Sequence, residues 1–307
     1  MKLQKILVVG SSNTDMVIKT DHIPCPGETI LGENFLMNPG GKGANQAVAI
    51  ARLGSNVTFA CKTGRDIFGH QSHQLFEAEG IDTTYIISDS KFASGIAMIT
   101  VDKNAENCIT VSSGANMNFK PADLEKLSKS IDEFDIVLMQ LEIPMETVEY
   151  VAKLAAEKGK KVILNPAPAP SVPLSTDLIQ SLFLITPNET EAELITGQKV
   201  TDIETAKKAA QILRDKGTKN VIITLGSKGA LVYTDTLCEV IPAFRVKAVD
   251  TTAAGDIFNG ALCVALSEGR GWAEAIRFAC KTSAISVTRV GAQSSAPYRA
   301  EVDVFNI

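Results

Sequence analysis

Histidine and cysteine are sparse: three and six among 307 residues. The cysteines stand at 25, 61, 108, 238, 263 and 280, with no C-x-x-C pair among them. With so few histidines, this scatter builds neither a zinc frame nor a disulfide frame, and reduced, mostly buried thiols are expected. Positive charge is not in excess: 30 Lys+Arg face 35 Asp+Glu, a formal charge of −5. That balance argues against a broad nucleic-acid surface, though not against a local anion pocket. No apolar run reaches the ~18 residues of a membrane span. Met1 to Gly10 is strand-like and lacks a signal-peptide layout, so the expected location is the cytoplasm. There is no internal repeat, no low-complexity tract, and no Walker A loop of the form G-x-x-x-x-G-K-[ST].

What is present reads as alternating strands and helices. Lys5 to Gly10, Asn56 to Ala60, Asp135 to Met139, Lys161 to Leu164, Leu182 to Thr186 and Asn220 to Thr224 are short, mostly apolar runs, as buried parallel strands are. Val148, Val151, Ala152 and Ala155 follow helical spacing. Two segments break this pattern. Val17 to Met37 is interrupted by Pro24, Pro26 and Gly27 and does not read as a βαβ unit. Gly95 to Val101 and Asn107 to Val111 alternate and are joined by residues 102–106, which reads as a β-hairpin.

The most informative stretch is Asp250 to Gly260, DTTAAGDIFNG. The run Val240 to Val249 reads as a strand before it, and Ile257 to Leu266 as a helix after it. Small side chains let backbone N–H groups approach a ligand, and a helix start aims free N–H groups and a positive dipole end at an anion. Asp256 adds a carboxylate suited to general-base activation of a hydroxyl that attacks a phosphoryl group. The plainer reading is a capping aspartate in a loop of small residues.

Other polar clusters stand at strand ends, where ligands of open α/β sheets sit. Asn13 and Asp15 match the donor–acceptor pattern of a diol, or form an Asx turn. Gly40-Gly41-Lys42-Gly43-Ala44-Asn45 is a glycine-rich turn into a helix. Glu142 beside an apolar run suits a substrate hydroxyl or the surface. Asn188 and Glu191, three apart, suit a hydrated magnesium ion or an acidic helix start. Thr224 to Gly229 suits a nucleotide or a simple hairpin turn. His70 and His73 read as solvated.

These motifs, in this order, resemble the ribokinase family of sugar kinases, the phosphofructokinase-B type, from Lys5 to about Val304. The resemblance implies an α/β fold in a single domain spanning 1–307: a three-layer α/β/α sandwich with a mostly parallel central sheet. A small β-sheet lid would come from about 14–38 and 93–113. It implies Asp256 as catalytic base, with Ala253, Ala254, Gly255 and Asp256 forming an anion hole. Asn13, Asp15, Gly41, Lys42, Gly43, Ala44, Asn45 and Glu142 would hold the sugar. Asn188, Thr224, Leu225, Gly226, Ser227, Lys228, Gly229, Gly255, Asp256 and Cys280 would meet ATP. Glu191 would reach Mg2+ through water. Potassium would lie among Asp250, Thr252, Ser286, Arg289, Gly291 and Ser295, the arginine serving through its carbonyl. Two positions depart from the family: Arg65, where many relatives are acidic, and Cys280, often histidine or asparagine. The implied reaction is ATP-dependent phosphorylation of D-ribose at O5. A related kinase for another sugar or a nucleoside, and a sugar-binding regulator without turnover, are the alternatives. The resemblance also implies a homodimer through the lid, with Ile96, Met98, Ile109 and Val111 as apolar contacts.

Overall fold

The computed structural model describes residues 4–104, 106–170 and 172–305. Met1 to Leu3, and Ala105 in the loop expected between the two hairpin strands, lie outside the described residues.

The chain opens with strand β1 (Ile6–Val9), followed by β2 (Asn13–Lys19), β3 (Phe35–Gly40) and helix α1 (Lys42–Arg52). Next come β4 (Val57–Gly64), α2 (Ile67–Ala78), β5 (Asp82–Asp89), β6 (Gly95–Val101) and β7 (Asn107–Ser112). The middle of the chain holds α3 (Glu125–Ser130), β8 (Ile136–Met139), α4 (Met145–Glu157), β9 (Lys161–Leu164), α5 (Thr176–Ser181) and β10 (Leu184–Ile185). It continues through α6 (Glu189–Thr196), α7 (Ile203–Asp215), β11 (Asn220–Thr224), β12 (Ala230–Tyr233) and β13 (Cys238–Ile241). Helices α8 (Ala254–Ser267), α9 (Trp272–Ser286) and α10 (Arg299–Val304) end it.

Nine strands form one sheet in the order β13-β12-β11-β10-β9-β8-β1-β4-β5. It is parallel from β11 to β5, and β12 and β13 add antiparallel at one edge. Strand side chains alternate between faces. In β1, Ile6 and Val8 enter one apolar cluster while Leu7 and Val9 enter the other. Helices α1, α8 and α9 cover the first face; α4, α6 and α7 cover the second. Apolar burial on both faces makes a three-layer α/β/α sandwich.

A second sheet, ordered β3-β2-β6-β7, stands apart from the first. Its alternation separates the four apolar residues singled out from the sequence. Ala97 opposes Val111 and Ile99 opposes Ile109, so Ile109 and Val111 share the face of Asp15, which opposes Ala97. Ile96 and Met98 point to the other face.

The expected strand from Val240 to Val249 is corrected: β13 ends at Ile241, and residues 242–248 are irregular. Pro242 cannot donate to a ladder. Its neighbours also pack on Gly229, where an added Cβ would lie 2.0 Å from Ile241 O.

Candidate active site at the α8 N-terminus

Polar groups from distant parts of the chain meet where α8 begins. Ala253 caps the helix with φ +58°, the only positive value at a non-glycine among the described residues. Such a conformation costs about 1–3 kcal/mol and persists only where the surroundings dictate it. Ala254 N donates to Thr251 O at 3.2 Å, but no backbone acceptor among the described residues takes the N–H of Gly255 or Asp256. An added Cβ at Gly255 would meet nothing within 4 Å. The space in front of this helix end is open.

Two cavities share that end. The larger, about 800 Å3, is lined by Asn188, Thr224, Gly226, Ser227, Gly229, Cys280, Ala254 and Gly255. Its volume falls in the range of small-molecule and cofactor sites. The smaller, about 230 Å3, is lined by Lys42, Glu191, Asn165, Thr186 and Asp256, and again by Ala254 and Gly255. A ligand filling the larger cavity and reaching past the helix tip enters the smaller one.

Asp256 is buried, and both of its oxygens accept amide hydrogen bonds. Asn45 Nδ2 donates to Oδ2 at 2.9 Å and Gln46 Nε2 to Oδ1 at 3.0 Å. Burial raises the carboxyl above the usual range, while the Lys42 ammonium and the two amides oppose the rise. Lys42 is itself held above the usual lysine value, chiefly by Asp256 and then by Glu142, Glu191 and Asp15. The site therefore pairs one held cation with several carboxylates.

The residues expected at the sugar gather beside Asp256. Ser11 Oγ and Lys42 N both donate to Glu142 Oε2, at 2.5 and 3.0 Å. Asn13 Oδ1 accepts from Asn116 Nδ2 at 2.8 Å, which leaves Asn13's own amide donor free of that bond. Asp15 is raised to about 6 by burial, with Glu142 adding to the rise and Lys42 opposing it. The glycines of this turn serve the protein's own packing. Gly41 has φ +89° with Asn13 N where a Cβ would go, and a Cβ on Gly43 would lie 2.7 Å from Ser11 N.

Of the residues expected at ATP, Leu225 lies in the apolar core and Lys228 is exposed, 3.4 Å from Glu189. The lining also includes Ala243, Phe244, Arg245 and Val246, and Ser283, Ala284 and Val287, which the sequence reading missed. Those of α9 and its C-cap had a signal: with Cys280, residues Ser283, Ala284 and Val287 stand at i, i+3, i+4 and i+7. Asn188 and Glu191 form a reciprocal cap, Asn188 N to Glu191 Oε2 at 2.9 Å and Glu191 N to Asn188 Oδ1 at 2.8 Å. Burial raises Glu191, partly offset by the Asn188 N–H and Lys42. Among the potassium candidates, Asp250 accepts from Thr252 N at 2.9 Å and Gly291 N at 2.8 Å, joining two of the segments. Ser286 and Ser295 donate to the carbonyls of Ser283 and Ala292. Arg289 pairs with Glu301 at 2.5 Å through its guanidinium. Arg65 is exposed and remote in sequence from each of these groups.

Residues 3–299 match the profile of the pfkB family carbohydrate kinases. The chain belongs to that family. A ribokinase of Haemophilus influenzae is 47% identical over 296 residues, 96% of each chain. A deoxyribokinase of Salmonella typhi is 38% identical over 98% of this chain and 97% of its own. The structure of Arabidopsis thaliana ribokinase complexed with ribose and ATP superimposes with a TM-score of 0.93 at 31% identity, covering 97% of both chains. As a member of the pfkB family the chain is an ATP-dependent carbohydrate kinase. No helix among the described residues is long and apolar enough to cross a membrane.

Proposed function

We propose that the protein transfers the γ-phosphoryl group of ATP to O5 of D-ribose, giving D-ribose 5-phosphate and ADP. The observation that carries this reading is the shared border: the α8 tip, with its free N–H groups, separates a nucleotide-sized cavity from a small one holding Asp256 and Lys42. The names of the similar Haemophilus and Arabidopsis proteins support ribose as the acceptor.

The adenine and ribose of ATP lie in the larger cavity, against Cys280 and the Thr224–Gly229 turn. The γ-phosphate meets the N–H groups of Gly255 and Asp256. The acceptor sugar is held by Asn13, Asp15, Asn45 and Glu142. Asp256 takes the proton of O5 as that oxygen attacks phosphorus in line with the departing ADP. The N–H groups and Lys42 offset the charge spread over the transferring group. Of the Glu191 carboxylate, Oε2 accepts from Asn188 N, so the other oxygen, with Asn188, suits a magnesium ion held through water, which would draw charge from the phosphates. The oxygens of Asp250, Gly291 and Ser295 suit a potassium ion, which would steady the loop before α8. The small sheet closes over the sugar and excludes water, and a second copy packs on it to give a homodimer. Dependence on ATP fits a cytoplasmic reaction.

A coupled ADP-release assay over D-ribose, 2-deoxy-D-ribose, D-fructose and adenosine, with and without potassium, tests the reading. Highest kcat/KM with D-ribose, increased by potassium, is expected. Preference for another acceptor overturns the sugar assignment, and sugar binding without ADP release overturns catalysis.

A further inference from the structure

Gln46 projects from α1 into the interior, fully buried, one residue beyond Asn45. A long polar side chain at such a place requires partners. It has them on every side. Nε2 donates to Asp256 Oδ1 at 3.0 Å and to Asn165 Oδ1 at 3.1 Å, and Oε1 accepts from Gln140 Nε2 at 2.5 Å. Beyond Asn165 the bonds continue. Asn165 Nδ2 donates to Thr186 O at 3.3 Å, and Thr186 Oγ1 donates to Asn259 Oδ1 at 2.6 Å. Asn259 Nδ2 then donates to Gly255 O at 2.8 Å.

The direction of every donor in this chain is fixed by its ends. Backbone carbonyls only accept, so Asn165 presents its NH2 to Thr186 O, and Asn259 presents its NH2 to Gly255 O. Each amide then turns its oxygen inward, and Gln46 must supply the NH2 that Asn165 needs. That same NH2 faces Asp256. The bonded path thus runs from the carboxylate to the peptide whose neighbouring N–H groups are free at the helix tip. It couples two groups that the phosphoryl transfer must hold in register.

We propose that Gln46 is a positioning residue which, through Asn165, Thr186 and Asn259, fixes the Asp256 carboxylate relative to the Gly255 peptide. This rests on the reading of Asp256 as base. Gln46 lines neither of the two cavities. It leaves Oδ2, the oxygen shared with Asn45, to face the sugar hydroxyl. Displacement of a reacting group by about 1 Å can cost about 100-fold in rate.

The experiment is a double-mutant cycle on the full chain. Gln46→Met keeps the side-chain length and removes both hydrogen-bonding functions. It is expected to lower kcat about 10- to 100-fold while the KM for ATP changes less than about twofold. Gln46→Glu, of nearly the same shape, cannot donate to a carboxylate when ionised and is expected to be at least as impaired at about pH 8. In an Asp256→Asn background, Gln46→Met should cause no further loss, because both act on one group. Melting temperature is followed for each variant. A Gln46→Met enzyme with unchanged kcat overturns the proposal. So does a loss of kcat that is fully additive with that of Asp256→Asn. An Asp256→Asn enzyme that retains full turnover would instead remove the base assignment itself, so the two failures are distinguishable.

Discussion

Asn45 Nδ2 donates to Asp256 Oδ2 across 2.9 Å, while Asn45 Oδ1 is buried with no partner among the described residues. A buried amide oxygen left unpaired costs about 1–3 kcal/mol. A sugar hydroxyl donating to it would remove that cost on binding. Asn45→Ala is therefore expected to raise the KM for ribose by about 10-fold or more, with the KM for ATP nearly unchanged. Steady-state kinetics with each substrate varied in turn checks this. Equal effects on both KM values would mean that Asn45 acts through the fold of α1.

At Gly255 no protein atom stands where a Cβ would go. The protein itself does not require glycine there, and alanine is the better helix former by about 1 kcal/mol. Gly255→Ala is expected to match or exceed the wild-type melting temperature. It should nevertheless raise the KM for ATP or lower kcat, by about 10-fold or more, because the methyl enters space that the phosphates need. Normal kinetics in a folded variant would move the phosphate away from this helix tip.

Asp15 titrates near 6 because burial, and then the Glu142 charge, disfavour its ionised form. Its carboxylate accepts hydroxyl hydrogen bonds, so the KM for ribose should climb as pH falls through about 6. Asp15→Asn should remove that limb. The folded value is raised above the unfolded one, so this group's contribution to stability is present at low pH and is lost as pH rises through about 6. Without sugar, Asp15→Asn should then raise the melting temperature at about pH 8 more than at about pH 5. A KM for ribose flat across this range would exclude Asp15 from the sugar.

Met98 and Ile109 are both exposed, at 60% and 53%, but on opposite faces of the small sheet. A single packing face cannot use both equally. Met98→Lys and Ile109→Lys should differ in effect: one should shift the protein toward monomer in sedimentation, the other should leave it unchanged. Two unchanged variants would rule out a dimer through this sheet.

Much of the architecture was legible because period and burial agree locally. Ile6 to Val9 is apolar at every position, as a strand covered on both faces must be, and Val148 to Ala155 keeps helical spacing. The stretch before α8 misled because residues 243–249 are apolar enough for a strand, yet Pro242 and the close packing on Gly229 end the ladder at Ile241. Asn13, Asp15, Lys42, Asn45, Glu142 and Asp256 could be named as candidates, from polar groups at strand ends and helix starts together with the family resemblance. The partners Gln46, Asn165, Thr186 and Asn259 could not, because only folding brings positions so far apart into one hydrogen-bonded path. One hint was available: Gln46 stands amid the apolar face of α1, where an unpaired amide would be costly.

The most direct test replaces Asp256 with asparagine and measures single-turnover phosphorylation of D-ribose with ATP binding measured in parallel. Loss of about 100- to 10,000-fold in rate, with ATP affinity and melting temperature close to wild type, is the expected result. A variant that still phosphorylates ribose at the wild-type rate would contradict the assignment of this carboxylate as the group that takes the proton.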